Sequence, residues 1–137
     1  MRELFVDTSA WYPLVMRSHP DHTGLAKTLA ARVAAGTRVV TTNLVIAETH
    51  ALLLRRAGID VARTFVRRVR QPPNVVVQST DHLESLAIDE WLDRLSDQDF
   101  SLTDAVSFAV MQERSIDEAL TLDHHFGVAG FSVASKG

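Results

Sequence analysis

The run Leu4-Phe5-Val6, closed by Asp7, decides how the rest of the chain is read. Three apolar residues in succession suit a strand buried on both faces rather than one with a wet side. An acid directly after such a strand sits where open parallel sheets bind ligands, outside the carboxyl ends of their strands. The same pairing recurs late in the chain, where Ala119 to Leu122 reads as a strand ending at Asp123. Arg38 to Thr41 and Val75-Val76-Val77 are two further strand-like runs, and Phe131-Ser132-Val133 is a candidate fifth.

Helical segments alternate with these runs. Ser9 to Met16 reads as a short helix with Pro13 in its first turns. Asp21 to Ala35 places Leu25, Leu29 and Val33 four apart and stops at Gly36. Asn43 caps a helix through Arg56, with Leu44, Ala47, Ala51 and Leu54 expected to face inward and Gly58 ending it. Ile59 to Arg70 is another helix, broken by Pro72-Pro73. Asp81 with Glu84 forms a capping box for a helix to Leu95, and Ser101 with Asp104 forms a second, opening a helix to Glu113. The expected fold class is α/β, a three-layer α/β/α sandwich around a central parallel sheet of four to five strands. With 137 residues and no repeat, linker or low-complexity segment, residues 1–137 read as one domain.

Composition narrows the function classes. Hydrophobic residues make up 46% and charged residues 23%, the balance of a soluble globular protein. There is no cysteine, which excludes a disulfide framework, a cysteine nucleophile and a cysteine-zinc site. No apolar run reaches the roughly 18 residues of a membrane span. The start of the chain lacks the basic, apolar and small-residue regions of a secretory signal, so the expected location is cytoplasmic. The net charge is −3, yet Arg55, Arg56, Arg63, Arg67, Arg68 and Arg70 crowd one segment whose single acid is Asp60. The stretch from Asp81 to Asp123 is strongly acidic. Taken alone, this pattern is that of a solvated surface. It also suits an anionic substrate beside a cation-binding cluster.

Four carboxylates are the candidates for chemistry. Asp7 and Asp123 stand at strand ends, Asp104 lies in the first turn of a helix, and Glu48 lies about one turn into another. Gathered together, they would repel and raise each other's proton affinity, a cost that a hard cation removes. Each has a structural alternative: a cap for Asp7, a favourable charge at a helix start for Asp104, a turn former for Asp123, an arginine partner for Glu48. His124 and His125 beside Asp123 suggest an imidazole ligand, but as loop histidines they read as solvated, as do His19 and His22. Trp11 and Trp91 read as packing residues.

In the stretches that hold these acids the chain resembles the PIN-domain family, especially bacterial VapC-type toxins and their stand-alone relatives. Phe5-Val6-Asp7-Thr8-Ser9-Ala10 resembles the family's opening strand and first acid, and Val45-Ile46-Ala47-Glu48 the helix with its second. Phe100-Ser101-Leu102-Thr103-Asp104-Ala105 resembles its most specific segment. Leu120-Thr121-Leu122-Asp123-His124-His125-Phe126, with Gly130-Phe131, resembles its closing strand and turn. The resemblance covers nearly the whole chain.

It implies a Mg²⁺-dependent endoribonuclease, with Mn²⁺ able to substitute, that hydrolyses phosphodiester bonds of single-stranded or looped RNA. Asp7 and Asp104 would be the principal metal ligands. Glu48 and Asp123 would complete the cluster, hold a second ion or orient the attacking water. Thr8, Ser9 and Thr103 would supply hydroxyls that orient carboxylates, with capping as their alternative role, and Asp99 is an extra acid close to the third motif whose contact with the metal, through water, is left open. Arg56, Arg63, Arg67 and Arg70 would meet RNA phosphates, or else serve a dimer or antitoxin interface. A VapB-like antitoxin and a second copy of the chain are the partners that the resemblance implies. A non-catalytic RNA-binding or interaction module on the same fold is the alternative. A phosphorylation receiver domain is a poor match, because Gln78-Ser79-Thr80 stands where its acceptor aspartate belongs.

Overall fold

The computed structural model describes residues 1–134. In chain order the elements are β1 (Glu3–Val6), α1 (Thr8–Val15), α2 (His22–Ala34), β2 (Arg38–Thr42), α3 (Asn43–Ala57), α4 (Ile59–Val69), β3 (Val75–Val77), α5 (Asp81–Leu86), α6 (Leu102–Glu113), β4 (Glu118–Leu120), α7 (His125–Val128) and β5 (Ser132–Val133). A π-helical stretch, Ala87–Asp93, continues α5. The strands form one parallel sheet in the order β3-β2-β1-β4-β5. Leu4, Phe5 and Val6 are fully buried, as expected of a central strand covered on both faces.

This order has a functional consequence. From β1 the chain runs outward through β2 to β3, then returns across the sheet to β4, which pairs with β1 on its other side. Neighbouring strands whose connections leave in opposite directions open a crevice at their carboxyl ends, the usual ligand site of such sheets. Asp7 follows β1 and Asp123 follows β4, so both acids lie at that crevice. On the helical layers, α1 packs on α2 and α3, and α3 on α4, while α5, the π-helical stretch and α7 pack on α6. The three-layer sandwich is therefore present, with five strands.

Several local expectations change. The buried face of α3 is Val45, Ile46, Thr49 and Leu53; Ala47 and Ala51 are exposed, Leu44 is half-buried and Leu54 is 45% exposed. The apolar stripe read from sequence is thus on the outer side. Buried Thr49 explains the difference, because its hydroxyl donates to the carbonyl of Val45 and meets Thr8 Oγ1, and so belongs inside despite its polarity. The cap of α3 is Thr42, which accepts from the Val45 N–H, and Asn43 Oδ1 instead accepts from the Ser79 N–H. The cap of α5 is likewise Thr80, accepting from Leu83 N–H, while Glu84 takes the Ser79 hydroxyl. β4 ends at Leu120, because the N–H groups of Leu122 and Asp123 bond the hydroxyls of Ser9 and Thr121 instead of a strand.

Phe108 of α6 anchors the layer behind the crevice. Its ring lies 5.1 Å from Trp91, 5.1 Å from Phe100, 5.0 Å from Phe126 and 5.7 Å from Phe131. Trp91 packs here, as the sequence suggested, and Trp11 sits edge-on to Phe65 at 5.9 Å. Phe108→Ala should lower unfolding stability by about 3–5 kcal/mol, the usual range for emptying a buried aromatic site. Urea denaturation followed by Trp fluorescence measures it.

Candidate active site

Asp7 is the most buried acid, at 6% exposure. Its Oδ1 accepts from the Ser9 hydroxyl at 3.0 Å. Ser9 Oγ also meets Thr121 Oγ1 at 3.1 Å and accepts from the Leu122 N–H at 2.8 Å. Thr121 in turn accepts from the Asp123 N–H at 2.9 Å. A continuous hydrogen-bonded path therefore joins the end of β1 to the end of β4. Burial pushes the Asp7 carboxyl up to about 7 despite the Ser9 and Thr121 hydroxyls, and the charges of Asp123 and Asp104 add to the rise.

Asp104 occupies the third position of α6 and closes a capping box with Ser101. The Ser101 hydroxyl accepts from the Asp104 N–H, and Asp104 Oδ2 accepts from the Ser101 N–H. The capping role read from sequence is thus present, and the same side chain feels the charge of Asp123. Burial raises its proton affinity above the ordinary carboxylate range, and the Asp123 charge contributes. Asp123 Oδ1 accepts from the His125 N–H at 2.9 Å, in the turn that starts α7.

His125 corrects the sequence reading. Only 13% of its side chain is exposed, and its ring lies among three carboxylates: Asp99, Asp104 and Asp123. Burial opposes its charged form, but the Asp99 hydrogen bond and the three negative charges outweigh that and hold its proton affinity above the ordinary histidine value. Asp99, 91% exposed, is correspondingly lowered by that hydrogen bond. His124 is 80% exposed, as a loop residue should be.

The other sequence candidates make local contacts or lie at the surface. Thr8 does not reach a carboxylate; it donates to the carbonyl of Val45 and ties α1 to α3. Thr103 offers its carbonyl to the Ser107 hydroxyl. Glu48 is exposed on α3, and the charges acting on Asp7 are those of Asp123 and Asp104. Arg56 lies over the Tyr12 ring at 5.6 Å, and Arg63, Arg67 and Arg70 are exposed along α4 and its end. Thr121, absent from the sequence candidates, is buried between the strand ends; a β-branched hydroxyl inside a strand-like run gives no warning of that role.

The two ends of the sheet differ in charge balance. At the amino ends Glu3 accepts from Arg38 and Arg114, and Glu118 pairs with Arg32. At the carboxyl ends no lysine or arginine among the described residues pairs with Asp7, Asp104 or Asp123. A nearly buried carboxylate beside two others, lacking any such partner, is the environment a hard cation relieves, and the all-oxygen donors suit Mg²⁺ or Mn²⁺. Asp123, His124 and His125 also offer atoms within 4.8 Å of one another, a mixed set that suits softer ions better.

A PIN-domain family model matches residues 4–131. The chain belongs to the PIN-domain family. This PIN-domain chain is 40% identical over 129 residues to the 23S rRNA-specific endonuclease VapC20 of Mycobacterium tuberculosis, in strains CDC 1551 / Oshkosh and H37Rv, covering 93% of the chain and 95% of the relative. The crystal structure of M. tuberculosis VapC20, described as a sarcin-ricin loop cleaving toxin, superposes with a TM-score of 0.88 at 33% identity, over 96% and 98% of the two chains. FitAcB from Neisseria gonorrhoeae shares the fold, with a TM-score of 0.69 at 14% identity over 97% of each chain.

The buried acid of this PIN-domain chain makes a stability prediction. Unfolded, Asp7 ionises near 3.8; folded, near 7. A raised folded value means the folded state holds its proton longer. Stability is therefore undiminished below the unfolded value, falls as pH rises between the two, and carries the full penalty above about 7. At roughly 1.4 kcal/mol per unit the penalty is a few kcal/mol. With metal chelated, Asp7→Asn should be more stable than the unaltered chain at about pH 8, and the gain should shrink towards about pH 4. Denaturant midpoints across pH test this; a gain independent of pH would contradict it.

Proposed function

We propose that this PIN-domain chain is a metal-dependent endoribonuclease that cuts looped or single-stranded RNA as the toxin of a toxin-antitoxin pair. The observation that carries the reading is the trio Asp7, Asp104 and Asp123 at the sheet's crevice, one of them almost fully buried and none paired with arginine or lysine among the described residues. Asp7 and Asp104 would hold the cation, Asp123 would complete its shell, and Glu48, exposed on the flank of α3, would orient water or hold a second ion. A bound Mg²⁺ or Mn²⁺ supplies an activated water and offsets charge on the phosphodiester. Ser9 and Thr121 keep the Asp7 carboxylate in place by hydrogen bonding, so the acids need not reorganise when the substrate arrives. No side-chain nucleophile is required.

Looped ribosomal RNA is the favoured substrate, in keeping with the cleavage described for VapC20. A cytoplasmic place of action goes with that substrate, and no helix among the described residues is long and apolar enough to cross a membrane. An apolar groove of about 760 Å³, lined by Trp11, Leu14, Leu29, Val33, Val61 and Phe65 and by none of Asp7, Asp104 and Asp123, supports an antitoxin partner. The exposed Ala47, Ala51 and Leu54 on α3 support pairing with a second copy. Arg63, Arg67 and Arg70, all solvent-facing and without an acidic partner among the described residues, would lead RNA phosphates towards the acids.

Two measurements test this reading. Purified protein should cut a mixed RNA pool with Mn²⁺ and not with chelator, and Asp104→Asn should lower the rate by more than about 100-fold, beyond what loss of an outer partner costs. Metal-independent cleavage, or an active Asp104→Asn protein, contradicts it. Replacing Arg63 and Arg67 together with Gln should flatten the dependence of log affinity on log salt by roughly 0.7 per lost phosphate contact. An unchanged slope with dimerisation lost would assign these arginines to assembly.

A further inference from the structure

His125 is more confined than a residue in a surface turn needs to be. Its Nε2 lies 2.8 Å from Asp99 Oδ1, and its Nδ1 lies 3.1 Å from Asp123 Oδ1 and 3.4 Å from Asp104 Oδ2. The Phe100 ring meets it edge-on at 5.3 Å, and the His124 ring lies 4.3 Å away. Phe100 in turn packs on Phe108, so the imidazole plane is fixed from the core. Its backbone N–H holds the same Asp123 oxygen that its ring approaches. Buried Nδ1 makes no well-aligned hydrogen bond to either acid; it lies between them, within reach of both.

We propose that His125 is a positioning residue, whose Nδ1 spans one oxygen each of Asp104 and Asp123 and leaves their other oxygens to the cation, while Asp99 fixes the ring through Nε2. The inference rests on the metal-site reading above. It gives Asp99 a task the sequence could not show: being almost fully exposed, it acts on the site through the imidazole rather than by direct contact. Partners of this kind orient ligands, and their loss commonly costs 10–100-fold in metal affinity or activity. The rival arrangement makes His125 itself a ligand, together with Asp123 and His124. With Nδ1 set between Asp104 and Asp123 and Nε2 on Asp99, neither ring nitrogen of His125 is left for an ion, so the two arrangements are mutually exclusive.

The test uses the full chain with His125→Ala, His125→Asn and His125→Gln, alongside Asp104→Asn, each checked for folding by thermal melting. An asparagine amide nitrogen reaches close to the position of ring Nδ1, whereas that of glutamine reaches towards Nε2. Calorimetric Mn²⁺ affinity should fall about 10–100-fold in His125→Ala and His125→Gln. His125→Asn should restore most of it, and kcat on the RNA pool should follow the same order while KM for RNA stays put. Pulsed EPR of bound Mn²⁺ should show no directly coordinated nitrogen. A nitrogen coupling that disappears in His125→Ala would overturn the proposal in favour of a ligand. Unchanged affinity in His125→Ala, or equal loss in the Asn and Ala variants, would overturn it as well. If Asp104→Asn binds Mn²⁺ and cleaves normally, the metal-site reading fails first; if it is inactive while His125→Ala is unimpaired, only the positioning role fails.

Discussion

Mutual repulsion among Asp7, Asp104 and Asp123 is the constraint around which this structure is arranged. Two of these acids are delivered by neighbouring parallel strands and the third by the first turn of α6, so the fold itself forces them together. Burial aggravates the repulsion, most of all at Asp7. Among the described residues, the surroundings oppose it with neutral donors and one imidazole rather than with arginine or lysine. Ser9 holds Asp7, the Ser101 N–H holds Asp104, and the His125 N–H holds Asp123. Neutral donors fix geometry without cancelling charge, which leaves the site electrically incomplete and able to take a cation. At the amino ends of the strands, by contrast, arginines complete the pairing directly.

Local structure and site are served by the same side chains. The capping box that starts α6 also places Asp104, so helix formation and site assembly are one event. The hydroxyls that terminate β4 also link Asp123 to Asp7. The aromatic cluster around Phe108 reaches Phe100, and through it the His125 ring, so core packing extends to the edge of the crevice. The supports of the site are thus also the fold's own fasteners. Local repacking anywhere along that line would be felt at the acids.

What the sequence disclosed follows from which interactions are periodic and which are not. The alternation of apolar runs with helical segments gave the sandwich, and the acids after Val6 and Leu122 could be read as strand-end groups. The resemblance to PIN domains rested on the same stretches, and the family match covers them. Apolar periodicity failed on α3, because Thr49 is buried by hydrogen bonds that a hydrophobic count cannot see. It failed again at β4, where hydroxyl groups end the strand earlier than its apolar residues suggest. His125 was unreadable for a related reason. Its partners Asp99 and Asp104 both lie more than twenty residues upstream, and only the fold brings them to the ring.

The central claim is that Asp7, Asp104 and Asp123 share one hard cation at the crevice between β1 and β4. Crystals of the chain soaked in Mn²⁺, with anomalous data collected at the manganese edge, test it most directly. The account predicts a single dominant anomalous peak touching carboxylate oxygens of all three residues at roughly 2.0–2.2 Å, the distance of a small divalent ion with oxygen ligands. A peak held by the His124 and His125 rings without Asp7, or no peak between the three acids at saturating Mn²⁺, would contradict it.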